Sequence, residues 1–146
     1  SSDAPETQGS SLDGLRILGL RARSTLELLE KVERGFSYAT FVRLQRAIDV
    51  PAQDLADFVQ IPARTLLRRK EAGRLRSDES DRVLRVSRLL ERAIELFEGN
   101  AEAARKWLAS PAKALAGHAP LDFARTEAGA REVESLIGRL EHGVNT

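Results

Sequence analysis

An all-α fold is predicted by three features of this 146-residue chain. Every periodic segment from Leu12 onward spaces its apolar residues three and four apart, as one face of a helix requires. No segment alternates apolar and polar residues as a half-buried strand would. Helix-capping residues, glycines and prolines stand at the ends of the periodic segments, where helices start and stop. The expected organisation is a disordered tail over residues 1–10, a helix-turn-helix bundle over 11–76, a long connecting helix over 77–98, and a small helical C-terminal domain over 99–146.

The tail, SSDAPETQGS, has almost no apolar content with which to offset the entropy of ordering. Ser24-Thr25-Leu26-Glu27 reads as a capping box, in which serine and glutamate satisfy free backbone donors at a helix start. That helix runs to Arg34, with Gly35 placed to take the left-handed position after it. Ser37 is expected to cap the next helix, whose Phe41, Leu44 and Ile48 fall on one face. Pro51 sits where a proline at the first helical position belongs, opening a short helix with Leu55, Phe58 and Val59 inward. Ile61-Pro62 restarts the chain, and Gly73 ends the resulting helix after about three turns. A longer helix follows from Ser77 or Asp78 to Glu98, with Val83, Val86, Leu90, Ala93 and Phe97 as its core stripe. Gly99-Asn100 breaks it, and a short helix then carries Trp107 and Leu108, both expected in the core. Residues 110–120 read as a loop punctuated by proline and glycine. The last helix opens near Thr126, whose hydroxyl suits an N-cap, with Glu127 favourable in its first turn. Its apolar face is Val133, Leu136, Ile137 and Leu140, and Gly143 ends it.

Composition removes several chemistries. There is no cysteine, so disulfides, thiolate metal sites and cysteine nucleophiles are excluded. A reducing, cytoplasmic setting fits. No apolar run approaches the roughly 20 residues that span a bilayer, and no signal segment is read at the start. Two histidines, His118 and His142, are too few for a histidine-based metal site. No nucleophile elbow, phosphate loop or dinucleotide fingerprint is present, and Glu132 and Glu134 point to different helix faces. Neither a cofactor nor catalysis is expected.

Twenty-three basic against 22 acidic residues leave a net charge of +1, but the charge is unevenly placed. Between Ile61 and Arg76 the basic residues are Arg64, Arg68, Arg69, Lys70, Arg74 and Arg76, against Glu71 alone. A basic patch on a near-neutral body suits a protein that grips nucleic acid through one element. The bland alternative is a solvated helical face. The position of the patch favours the first reading. Two short helices meet at Val59-Gln60-Ile61, with Ala56 four residues before the turn, where a close helix crossing needs a small side chain. Ile61 and Leu66 would fill the space between them. The second helix would enter the major groove with its N-terminal residues toward base edges. Arg64 and Thr65 then lie at the leading edge with Arg68 a turn behind, while Arg69, Lys70 and Arg74 suit phosphates. The guanidinium fork grips guanine or phosphate equally well. Gln60 occupies a turn position commonly held by glycine, so positive φ is expected there at a cost of about 1 kcal/mol.

From Trp107 to Val144 the chain reads WLASPAKALAGHAPLDFARTEAGAREVESLIGRLEHGV. The ordered set Trp107, Pro111, Leu115, Gly117, Pro120, Leu121, Thr126, Gly129 and Val133 resembles the Xre/MbcA/ParS toxin-binding domain of antitoxins paired with RES-type toxins. RTLLRRKEAGRLRSDESDRVLR, from Arg64 to Arg85, resembles the helix-turn-helix half of the same proteins. The resemblance implies an antitoxin that binds a RES-domain, NAD-consuming toxin and represses its own operon at operator DNA. It also implies a homodimer, which suits two helices reading half-sites about one helical turn apart. In that family the antitoxin's C-terminal end lies against the toxin and blocks its NAD site. Carried over, this implicates Arg139, His142, Gly143, Val144, Asn145 and Thr146 in toxin binding. From physics alone the same segment is a fraying helix end. The rival reading is a stand-alone transcriptional regulator whose C-terminal domain only dimerises.

Overall fold

The computed structural model describes residues 14–143, and helices are its only extended regular elements over that range. The tail expected over residues 1–10, like Val144, Asn145 and Thr146, lies outside the described residues. In order the helices are α1 (Leu15–Leu18), α2 (Thr25–Arg34), α3 (Tyr38–Ile48), α4 (Ala52–Phe58), α5 (Ala63–Ala72), α6 (Ser77–Leu96), α7 (Ala101–Ala109), α8 (Pro120–Phe123) and α9 (Glu127–Glu141). The chain forms two compact units, Ser1–Arg88 and Leu89–Thr146, whose boundary falls within α6.

Two of the capping side chains read from the sequence, Ser24 and Thr126, act as expected, and Asn100 adds a third. The Ser24 hydroxyl accepts the Glu27 N–H at 3.1 Å, and the Glu27 carboxylate accepts the Arg23 N–H at 2.6 Å. The reciprocal half of the capping box therefore lands one residue before the cap. Thr126 accepts the Gly129 N–H at 3.0 Å, and Asn100 accepts the Ala103 N–H at 3.1 Å. Ser37 occupies the N-cap position of α3 without such a bond; its hydroxyl instead lies 3.3 Å from that of Thr40. Pro51 is likewise the N-cap of α4 rather than its first helical residue.

In the first unit Leu18, Leu28, Phe41, Leu44, Ile48, Leu55 and Val83 are buried, and Tyr38 stacks on Phe41 with ring centroids 5.5 Å apart. Gly35 has positive φ with extended ψ (87°, 135°), so it does not close a left-handed cap. A Cβ there would meet the Leu75 carbonyl, because residues 36–38 lie alongside 73–75. Leu75 N–H donates to Phe36 O at 2.8 Å and Tyr38 N–H to Gly73 O at 2.9 Å. The second unit is centred on Leu89, Leu115, Ala124, Ala130, Val133, Leu136 and Ile137.

Several burial expectations change. Phe58 and Phe97 are only half-buried, and Phe97 falls beyond the end of α6. Trp107 is half-buried too, packed against the second core on one side and tilted against Phe97 at 6.4 Å. Leu140 is 43% exposed, because the last turn of α9 passes beyond the core that its period points toward. The expected loop over 110–120 contains a single 3-10 turn, Lys113–Leu115, and its Pro120 opens α8.

Candidate functional site

The helix-turn-helix is built as its spacing requires. Ala56 and Val59 are fully buried, and Ile61 N–H donates to Ala56 O at 2.8 Å across the turn. Gln60 takes φ 58°, the left-handed conformation that its place in the turn demands. The Arg82 guanidinium, reaching from α6, donates to Val59 O at 2.6 Å and satisfies a carbonyl left free at the end of α4. Ile61 and Leu66 fill the interior of the motif, at 1% and 9% exposure.

This packing turns one face of α5 outward. Arg64, Arg68 and Lys70 are exposed, and Thr65 is half-buried beside them. Arg68 Nη2 lies 3.5 Å from the Thr65 hydroxyl, so these two side chains share one edge of the helix. The other two basic candidates have internal partners. Arg69 makes a two-pronged bond to Glu79, Nε to Oε1 at 2.8 Å and Nη2 to Oε2 at 3.1 Å. Arg74 donates from Nη1 to the Gly35 carbonyl at 2.6 Å. Both anchor the C-terminal end of α5 to the body of the unit.

Glu79 is the residue on which this arrangement turns, and it is only 5% exposed. Burial by itself would raise its pKa, but the bond from Arg69, the Arg76 N–H bond and the Arg69 charge together hold its carboxyl below the ordinary carboxylate value. The Arg76 N–H donates to Oε1 at 2.8 Å, so the same carboxylate also caps the start of α6. Ser80, buried next to it, accepts the Phe36 N–H at 2.8 Å and donates to Arg76 O at 2.7 Å. The sequence signal for Glu79 was available: a glutamate three residues into a helix, at the position that reaches back to the cap.

In the second unit Arg139, His142 and Gly143 stand exposed at the end of α9. Arg139 lies 3.9 Å from Glu132, and Glu141 lies 3.5 Å from Arg92. Val144, Asn145 and Thr146 continue this tail outside the described residues. A separate open groove of about 580 Å³ runs between Ala114–Ala116, Phe123 and the first turn of α9. Among the described residues no group of three or more His, Cys, Asp or Glu is arranged to hold a metal ion. No helix among them is long and apolar enough to cross a membrane.

Comparison with known proteins divides the chain along the same lines. Residues 27–88 match the antitoxin Xre-like helix-turn-helix domain, and residues 92–143 match the antitoxin Xre/MbcA/ParS C-terminal toxin-binding domain. The chain is 36% identical over 130 residues, 88% of each chain, to a protein named antitoxin Xre from Yersinia enterocolitica. It is 30% identical over 130 residues, again 88% of each chain, to an antitoxin Xre from Photorhabdus laumondii. A third antitoxin Xre, from Pseudomonas putida, is 31% identical over 122 residues, 82% of this chain and 74% of the relative.

Proposed function

The chain belongs to the Xre family of antitoxins, and from that premise we propose that it neutralises a RES-domain toxin that consumes NAD. In the same reading it binds the operator of its own operon as a homodimer and represses it. The observation that carries the DNA half is the outward face of α5, where cationic side chains project from a helix whose other face is packed and bonded. Arg64, Thr65 and Arg68 are assigned to base edges and Lys70 to phosphate. Arg69 and Arg74 are assigned to holding the helix in place, since their donors already serve Glu79 and Gly35.

A dimer neutralising about six to ten phosphates should lose on the order of a thousandfold in affinity between about 50 and 200 mM salt. Lys70→Ala is expected to flatten that dependence and weaken all sequences alike. Arg64→Ala is expected to relax discrimination at one base pair, by roughly 1–3 kcal/mol if it grips guanine. Binding of upstream DNA measured across salt concentrations tests this, and salt-independent binding would overturn it.

The toxin half rests on the family and on the resemblance of residues 107–144. Arg139, His142, Gly143, Val144, Asn145 and Thr146 are assigned to the toxin's NAD site. Ending the chain after Leu140 removes Glu141, His142 and Gly143, all exposed, and an Arg92–Glu141 pair worth at most about 1 kcal/mol. The shortened protein should melt close to the full chain yet leave the neighbouring gene's toxin consuming NAD. Equal inhibition by both proteins, at saturating antitoxin, would move neutralisation to the body of the domain.

A further inference from the structure

We propose that Leu67 reads the C5-methyl group of thymine and so helps determine which DNA sequence is bound, an inference that rests on the DNA-binding reading of α5. Two leucines follow one another on this helix. Leu66 faces the core at 9% exposure, whereas Leu67 is 58% exposed. Helical spacing sets Leu67 three residues after Arg64, beside Arg68 and four before Glu71, all four exposed on the outward face. Single exposed apolar residues are common on protein surfaces and by themselves signify nothing. What distinguishes Leu67 is its place. The exposed leucines of α2, Leu26 and Leu29, lie on a helix that is neither of the two forming the helix-turn-helix. Leu67 lies on the outward face of α5 with Arg64 on its N-terminal side and Glu71 on its C-terminal side, in the leading half of the helix that a helix-turn-helix lays on base edges.

The chemistry of the groove then narrows the occupant. Each base edge in the major groove offers hydrogen-bond donors and acceptors, and thymine adds an apolar methyl. Leucine can neither donate nor accept a hydrogen bond. Packed against a polar edge it would strand that edge's groups without water, and packed against the methyl it removes apolar surface on both sides. Arg64 and Arg68, exposed on the same outward face, would contact the backbone and neighbouring bases while Leu67 meets the methyl.

The test uses the full chain and the DNA upstream of its own gene, footprinted to the protected segment. That segment is prepared with thymine and again with deoxyuridine, which pairs alike but lacks the methyl. Wild type should bind the thymine duplex about fourfold more tightly for each methyl contacted, the ratio expected from burying one methyl group. Leu67→Ala should melt like wild type, bind the thymine duplex with a similar loss, and show a thymine-to-deoxyuridine ratio reduced toward one. Unchanged affinity in Leu67→Ala, or a ratio equal to that of wild type, would overturn the inference while leaving DNA binding intact. Failure of wild type to protect any upstream segment would remove the DNA reading, and the inference with it.

Discussion

Replacing Glu79 with alanine is expected to lower stability by about 3 kcal/mol, the lower end of the range for breaking a buried ion pair by removing one partner. The loss has two sources in one carboxylate. Arg69, itself 16% exposed at its side chain, would keep its charge but lose both bonds that compensate its burial. The Arg76 N–H at the start of α6 would lose its cap, an effect of about 1 kcal/mol where it has been separated from others. Glu79→Gln should cost less, because an amide oxygen can still accept from Arg76. Its pH dependence is more telling. Glu79 has a folded pKa below its unfolded one, so its contribution is fully present above the unfolded value of about 4.3. It is lost as the pH falls through the folded value, since unfolding then takes up a proton. Urea titrations from neutral pH downward should therefore show a shallower acid decline for Glu79→Gln than for wild type. Superimposable declines would mean that Glu79 titrates alike in the folded and unfolded chains, the Arg69 and Arg76 bonds doing no more than offset the cost of its burial.

This pair also shows where the sequence is legible and where it is not. Cap residues such as Ser24 and Thr126 act on donors three residues away, so their partners could be named from spacing alone. The turn at Gln60 was readable for the same reason: the local spacing puts Gln60 at the turn position that commonly holds glycine, so positive φ was expected there. Arg69 was assigned to phosphate because its charge belongs to a basic cluster. Its partner lies ten residues on, across a turn, and helical periodicity says nothing about that approach. Leu140 fails for a related reason. Its spacing places it on the apolar face of α9, but whether a face is covered depends on where the neighbouring elements end. Trp107 is similar, since one amphipathic helix cannot reveal that a large ring is only partly enclosed by what packs on it. In the candidate site, the basic face of α5 was visible in the sequence, whereas its division into outward and anchoring arginines required tertiary structure.

Alanine at positions 129 and 138 should have opposite effects, although both are glycines of α9. In an unobstructed helix interior, replacing glycine with alanine stabilises by roughly 0.5–1 kcal/mol, because the unfolded chain has less freedom to lose. Gly138 meets that condition: a Cβ there has nothing within 4 Å outside the helix's own backbone. Gly129 does not. A Cβ at this position would overlap the Phe123 carbonyl oxygen, which is backbone and cannot rotate away as a side chain would. The approach is close because α8 and α9 are separated by three residues, and Thr126 at the junction spends its hydroxyl on the Gly129 N–H. Accommodating the methyl requires α9 to shift from α8, disturbing Ala130 and Val133 in the second core. Gly129→Ala is therefore expected to cost about 3 kcal/mol, the upper part of the range for overpacking a filled site. Thermal melting of the two variants against wild type gives the comparison, with Gly138→Ala rising and Gly129→Ala falling. If both rise, α8 yields to the methyl freely, and Gly129 is present for some reason other than the close passage of these helices.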